Sequence, residues 1–180
     1  GSKINVYNED IVCSWAAKKI NRAIKWVAER SESFLTDIHG RDHVTHAELA
    51  VTNDGKFLGF KNETIANLGA YARVFGTVTP TYLFGPCATG VYEIPAAYSN
   101  VKAVFTNTAP VDAYRGAGRP EATYTIERLV EKASMELGID KTELRVKNFP
   151  KSFPFKQTLV HTVDSGDYVA GMEKAKEMAD

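Results

Sequence analysis

The chain has 180 residues, 44% of them hydrophobic and 24% charged, with 22 Lys plus Arg balanced by 22 Asp plus Glu. That is the profile of one globular domain, large enough to bury roughly 70% of the surface its unfolded form exposes without a disulfide or metal staple. The zero net charge lacks the basic excess that phosphate neutralisation requires, which argues against nucleic acid as a partner.

Ile11, Val12, Trp15, Ala16 and Ile20 recur at helical spacing, with Asn8 available as N-cap and Glu9 and Asp10 near the positive end of the dipole, so a helix is predicted over residues 8–21. Ile24, Trp26 and Ala28 then alternate with Lys25 and Val27, which predicts a short strand running into residues 29–32. Two β-rich runs, residues 43–53 and 56–66, flank Asp54-Gly55 and predict a hairpin closed by a type I′ turn. Residues 67–95 carry seven Gly and Pro among aromatics and predict irregular backbone, and residues 101–108 read as a further strand.

Past Gly116-Ala117-Gly118, Pro120 occupies a first-turn position, and Ala122, Ile126, Leu129, Val130, Ala133 and Leu137 form an apolar stripe stopped by Gly138. Asp140 with Glu143 predicts the start of a shorter helix through about Asn148, Pro150 and Pro154 interrupt regular structure beyond it, and residues 167–178 form a last amphipathic segment. The predicted class is α+β: a mixed or antiparallel sheet containing the 43–66 hairpin and the 101–108 strand, packed against helices 8–21 and 119–137.

Cys13 and Cys87 stand far apart in no ligand spacing, which removes the usual signatures of zinc, iron–sulfur and disulfide frameworks. No apolar run approaches membrane-spanning length and no signal-peptide pattern opens the chain, so a cytoplasmic location is expected. His39, His43 and His46 lead into a strand that would send His43 and His46 to opposite faces, and no HExxH glutamate accompanies them. Glu29 and Glu32 read as a solvated cluster, and Cys87 as an inert side chain in a tight loop. Tyr71, Phe75, Tyr82, Phe84 and Tyr92 could line a groove for a flat cofactor or close the edge of a core.

The richest local chemistry is Ala113-Tyr114-Arg115-Gly116-Ala117-Gly118-Arg119-Pro120-Glu121. Glycines allow close backbone approach, helix-start amides donate to negative oxygens, and arginine offers a planar fork, so the run suits an anion or an oxo ligand. The alternative is a tight turn with Arg115 and Arg119 in surface ion pairs, Glu121 being one available partner. The Walker lysine is missing, which disfavours a nucleoside triphosphate.

That run, with Ala122, Glu127-Arg128-Leu129 and Glu136-Leu137-Gly138-Ile139-Asp140, resembles the molybdenum-binding large subunit of the aerobic carbon monoxide dehydrogenase, xanthine dehydrogenase and aldehyde oxidase family. Residues 26–35, His39-Gly40-Arg41-Asp42-His43, Ala47-Glu48-Leu49-Ala50, Asp54-Gly55-Lys56 and residues 66–71 extend the likeness over most of the chain. The resemblance implies a molybdopterin-type cofactor, with Arg115 hydrogen-bonding toward it and the backbone of Gly116, Ala117 and Gly118 beside the substrate position. It implies oxidative hydroxylation of a small molecule with water as oxygen source, and electron exit through iron–sulfur clusters and FAD on partner subunits or domains.

Copper-containing members place a cysteine where this chain has Gly116, so the soft ligand for Cu(I) is missing. Purine-oxidising members place an aromatic where this chain has Ala117, and an arginine in a segment where residues 75–94 hold none. An aldehyde, a heteroaromatic or another small substrate is left. The family's Gly-Gly-Phe-Gly loop and its Gly-x-Gly-Glu catalytic base are both missing, so residues 1–180 are expected to be a single domain of a longer large subunit, without a catalytic residue or metal ligand of its own and inactive in isolation. Gly1-Ser2 would then be a tag scar or a remnant of the first loop. Expected partners are the remainder of the large subunit, the iron–sulfur and flavin subunits and a small-molecule substrate. The competing readings are an assembly module that keeps the fold without binding cofactor, and a phosphate or nucleotide binder using residues 115–121.

Overall fold

A computed structural model describes Ile4 and residues 6–179. Gly1 and Ser2, expected to be a scar or loop remnant, lie outside the described residues. Strands β1 (His43–Val51), β2 (Phe57–Gly69) and β3 (Ala96–Phe105) form one mixed sheet in the order β1-β2-β3, with β1 antiparallel and β3 parallel to β2. Along β2 the buried residues Phe60, Asn62, Thr64 and Ala66 alternate with exposed Lys61, Glu63 and Ile65, the period of two of a half-buried strand. A parallel pair needs a long crossover, supplied here by residues 70–95 with a π-helical turn at Thr79–Phe84 and a 3-10 turn at Gly85–Cys87.

Helix α1 spans Asn8–Ile20 and α2 Arg30–Thr36. Helix α3 (Arg119–Leu137) begins after Gly118 with Pro120 in its first turn, ends on the left-handed Gly138, and buries Ala122, Ile126 and Val130. Asp140 caps α4 (Lys141–Lys147) by accepting the N–H groups of Thr142 and Glu143 at 2.8 and 3.1 Å. A small antiparallel ladder of β4 (Phe155–Lys156) and β5 (Thr162–Val163) precedes α5 (Tyr168–Ala179).

The core gathers Phe57, Phe60, Tyr92, Ile126, Val130, Leu144 and Phe149 between sheet and helices. Tyr92 meets Phe57 edge-on at 5.4 Å and stacks on Phe149 at 5.7 Å. Its hydroxyl donates to Glu127 at 2.6 Å, and Arg145 bridges Glu127 and Glu131 at 2.8 and 2.7 Å. Burial, then the Glu127 carboxylate, push the Tyr92 hydroxyl far above its ordinary pKa. Buried Asn148 accepts the Phe57 N–H at 2.9 Å and donates to the Gly55 and Leu144 carbonyls at 2.8 Å, tying the hairpin to α4. At the hairpin tip the Thr52 hydroxyl and the Lys147 ammonium hold the Asp54 carboxyl down at about 2.

The structure differs from the sequence pattern at several points. The 54–55 turn is not type I′: Gly55 alone has positive φ, at 88°, and the Gly55 N–H donates to Thr52 while the Thr52 N–H donates to Lys56, a three-residue loop with a glycine bulge. Residues 24–28 form no strand, because among the described residues no strand pairs with them, and Glu29 and Arg30 instead begin α2. The third strand starts at Ala96 and ends at Phe105, its register set by pairing with Gly59 to Gly69 rather than by its own composition. Tyr7, not Asn8, takes the N-cap position of α1, and its N–H donates to the Asp10 carboxylate at 3.0 Å. Nor does α1 pack on the sheet: Ile11, Val12, Trp15 and Ile20 remain 55–60% exposed.

Candidate functional site

The site is assembled by backbone pairing between two distant segments. The His39 N–H donates to the Pro110 carbonyl and the Asp112 N–H to the His39 carbonyl, both at 2.9 Å, laying residues 38–41 beside the approach to the glycine run. Buried Asp112 accepts the N–H groups of Phe75 and Ala113 at 3.0 and 2.7 Å, which fixes the loop's entry. The chain then turns through three successive positive φ angles, 94° at Gly116, 39° at Ala117 and 84° at Gly118, before α3 begins.

Sterics explain the two glycines. A Cβ on Gly118 would lie 2.6 Å from the Leu83 carbonyl carbon and 2.7 Å from Phe84 N and Thr79 O, all backbone atoms of the π-helical turn. A Cβ on Gly116 would lie 2.6 Å from the Pro120 ring. Ala117 holds the left-handed region without that freedom, at roughly 1–2 kcal/mol for an L residue. The turn is closed by the Ala117 N–H on Tyr114 O at 2.7 Å and the Arg119 N–H on Gly116 O at 3.3 Å. Among the described residues, the N–H groups of Arg115, Gly116 and Gly118 have no acceptor. The Arg115 side chain is exposed, and its guanidinium likewise has no partner among them. Gly118 is buried against the π-helical turn, so the exposed Arg115 and Gly116 carry the donors that the loop presents beside an uncommitted cation, a set able to bind negative or oxo groups.

Of the ion pairs considered for the arginines, Arg119 instead donates to Ala117 O at 3.4 Å, and Glu121 pairs with Arg41, whose Nε stands 3.3 Å from Oε1. The Glu121 side chain is only 9% exposed and neither oxygen has a hydrogen bond of good geometry, so this one cation at ion-pair distance compensates a buried carboxylate. Arg41 also donates through Nη2 to the Arg115 carbonyl and stands 5.1 Å over the Tyr114 ring. Arg41 is the residue that local pattern reading missed as a site member, its one signal being its place in the His39-Gly40-Arg41-Asp42 run, and Glu121 pairs with it rather than with Arg115 or Arg119. Arg41 separates two open clefts, one of about 630 Å³ between β1 and α3, the other of about 490 Å³ beside α2.

His43 faces the larger cleft, edge-on to Phe84 at 5.2 Å, and burial lowers its pKa despite the nearby Glu121. His46 is on the opposite face of β1, and no group of three or more potential metal ligands gathers among the described residues. Glu29 and Glu32 serve the start of α2, where the Glu32 carboxylate accepts the Glu29 N–H at 3.3 Å. The five aromatics considered for a groove divide: Phe84 and Tyr92 are buried, while Tyr71 and Tyr82 are exposed.

The chain is 38% identical over 99% of its length to the gamma subunit of the 6-hydroxypseudooxynicotine dehydrogenase complex of Paenarthrobacter nicotinovorans. It is equally identical, over its whole length, to the carbon monoxide dehydrogenase large chain of Hydrogenophaga pseudoflava. It spans about 23% of the length of each of these relatives. Quinoline 2-oxidoreductase from Pseudomonas putida 86 superposes with a TM-score of 0.86 at 30% identity, over 95% of this chain and 22% of that one. Cu,Mo-CO dehydrogenase superposes at 0.85 and 33%, over 99% of this chain and 23% of that one. Residues 1–149 match the molybdopterin cofactor-binding domain family, and the chain belongs to that family of domains from carbon monoxide and xanthine dehydrogenase-type oxidoreductases.

Proposed function

We propose that residues 115–118 face the molybdenum cofactor of a larger oxidoreductase that hydroxylates an aldehyde or heteroaromatic substrate oxidatively. The carrying observation is the left-handed run at 116–118, beside which the exposed Arg115 and Gly116 N–H groups and the Arg115 guanidinium have no partner among the described residues. These residues fit the group chemically: oxo and sulfido ligands accept hydrogen bonds, and a Cβ at Gly116 or Gly118 would displace the backbone that offers them. When bound, the cofactor supplies two-electron oxidation with water as the oxygen source. The chain's own part is positional. Arg115 donates to the ligand face, the exposed Gly116 amide supplies a fixed dipole, buried Gly118 lets the loop pack on the π-helical turn, and the small Ala117 side chain leaves room for substrate.

Glycine at 116 offers no soft ligand for Cu(I), and the quinoline and 6-hydroxypseudooxynicotine named in two relatives are heteroaromatic molecules. Both support the heteroaromatic side of the substrate reading. The chain acts as one domain, residues 1–180, of a large subunit in the cytoplasm, with iron–sulfur and flavin subunits carrying electrons away. Its small share of each relative's length, and the uncovered Ile11, Trp15 and Phe34, support the remainder of that subunit as its first partner. Alone the chain is inactive, and turnover of an aldehyde with a dye acceptor by residues 1–180 contradicts this. In the full-length enzyme Arg115→Met is expected to lower kcat/KM about 100-fold with an unchanged melting temperature. An unchanged kcat/KM contradicts the assignment.

A further inference from the structure

We infer that Arg41 is the positioning residue that sets which way the Gly116 amide points, an inference that rests on the cofactor-facing reading of the loop. One guanidinium meets the loop on both sides of its left-handed run. Nη2 donates to the Arg115 carbonyl, Nε pairs with Glu121 at 3.3 Å, and the plane lies 5.1 Å over Tyr114. In a trans peptide the carbonyl and the following N–H point in opposite directions. Holding the Arg115 carbonyl on Arg41 therefore directs the Gly116 N–H away from Arg41, where it has no acceptor among the described residues.

The clamp is needed because glycine at φ 94° lets the 115–116 peptide rotate at little cost. A flipped peptide would offer the ligand a carbonyl lone pair in place of a donor. Arg41 is itself held from both sides. His39 pairs with Pro110 and Asp112, and the Asp42 carbonyl and carboxylate accept from the Asn67 backbone and side chain at 2.9 and 2.8 Å. Glu121, buried in the first turn of α3, ties the same guanidinium to the helix, so Arg41 links the loop, the helix start and the 39–42 segment. Lysine cannot replace this group, because a single ammonium on a flexible stem does not reproduce the fork that meets two acceptors in fixed directions.

The test uses the full-length assembled enzyme and three variants: Arg41→Lys, Arg115→Met, and the double variant Arg41→Gln with Glu121→Gln. The double variant removes the buried charge together with its partner, so folding is kept and the positioning role is isolated. Expected are a melting temperature near wild type, a kcat about 100-fold lower with KM within about twofold, and amide exchange of the 112–118 peptide at least about tenfold faster. Arg41→Lys is expected to keep the melting temperature and still lose kcat. Wild-type kcat and wild-type exchange in both Arg41 variants would show that Arg41 only neutralises Glu121, and the inference falls. Impaired Arg115→Met beside unimpaired Arg41 variants removes the Arg41 role alone, whereas wild-type kcat in Arg115→Met removes the reading of the loop and this inference with it.

Discussion

In α3 the side chains of Ala122, Ile126 and Val130 lie against the sheet and the 79–94 crossover with at most 1% of their surface accessible. In α1, Ile11, Val12, Trp15 and Ile20 recur at the same helical spacing and stay 55–60% exposed. Both helices carry acidic first turns and end in left-handed residues, Asn21 after α1 and Gly138 after α3. What separates them is a partner. β1, the turns at 79–87 and the buried Phe57, Tyr92 and Phe149 cluster give α3 an apolar surface to pack on, whereas residues 23–29 beyond α1 are exposed throughout. An apolar stripe thus specifies that a face requires burial, and only tertiary topology decides where the covering surface lies.

Mutations should divide along the same line. The largest effect is expected of Phe57→Ala in the packed half, about 3–5 kcal/mol of unfolding free energy lost by urea titration. Gly118→Ala should cost about 2–4 kcal/mol, because the left-handed φ and the contact with three backbone atoms of the π-helical turn act together. A smaller, pH-dependent effect is expected from His43. Burial lowers its pKa in the folded chain, so its contribution is fully present above pH 6.5 and is lost as pH falls through the folded value. His43→Phe should flatten the stability profile on that acidic side. The smallest change is expected of Trp15→Ala, within about 0.5 kcal/mol. A loss above about 2 kcal/mol for that variant would show a covered α1 face and erase the contrast.

The same physics marks which features are legible in the sequence. Asp54-Gly55 between two alternating runs gives the hairpin, and Gly118, Pro120, Gly138 and Asp140 punctuate α3 and α4, because each acts within a few residues of itself. The turn class is not legible, since Asp54 and Gly55 also suit a three-residue loop, and the loop adopted is tied through Phe57 and Gly55 to Asn148, 91 and 93 positions away. Residues 96–100, Ala-Ala-Tyr-Ser-Asn, have weak strand preference and are extended only because β2 pairs with them. Within the site, the glycine run and its spare donors can be argued from residue type alone. The Arg41 clamp cannot, because it joins residues 74 positions apart through the His39 pairing with the 110–112 segment.

On the proposed reading the 115–118 loop presents its donors to the molybdenum cofactor. The most direct measurement is a crystal structure of the full-length large subunit with cofactor bound. The expected result is the Arg115 guanidinium or the Gly116 amide within hydrogen-bond distance, direct or through one water, of a ligand on the metal. A loop covered by another protein segment, with both groups more than about 10 Å from the metal, far beyond hydrogen-bond reach, would contradict it.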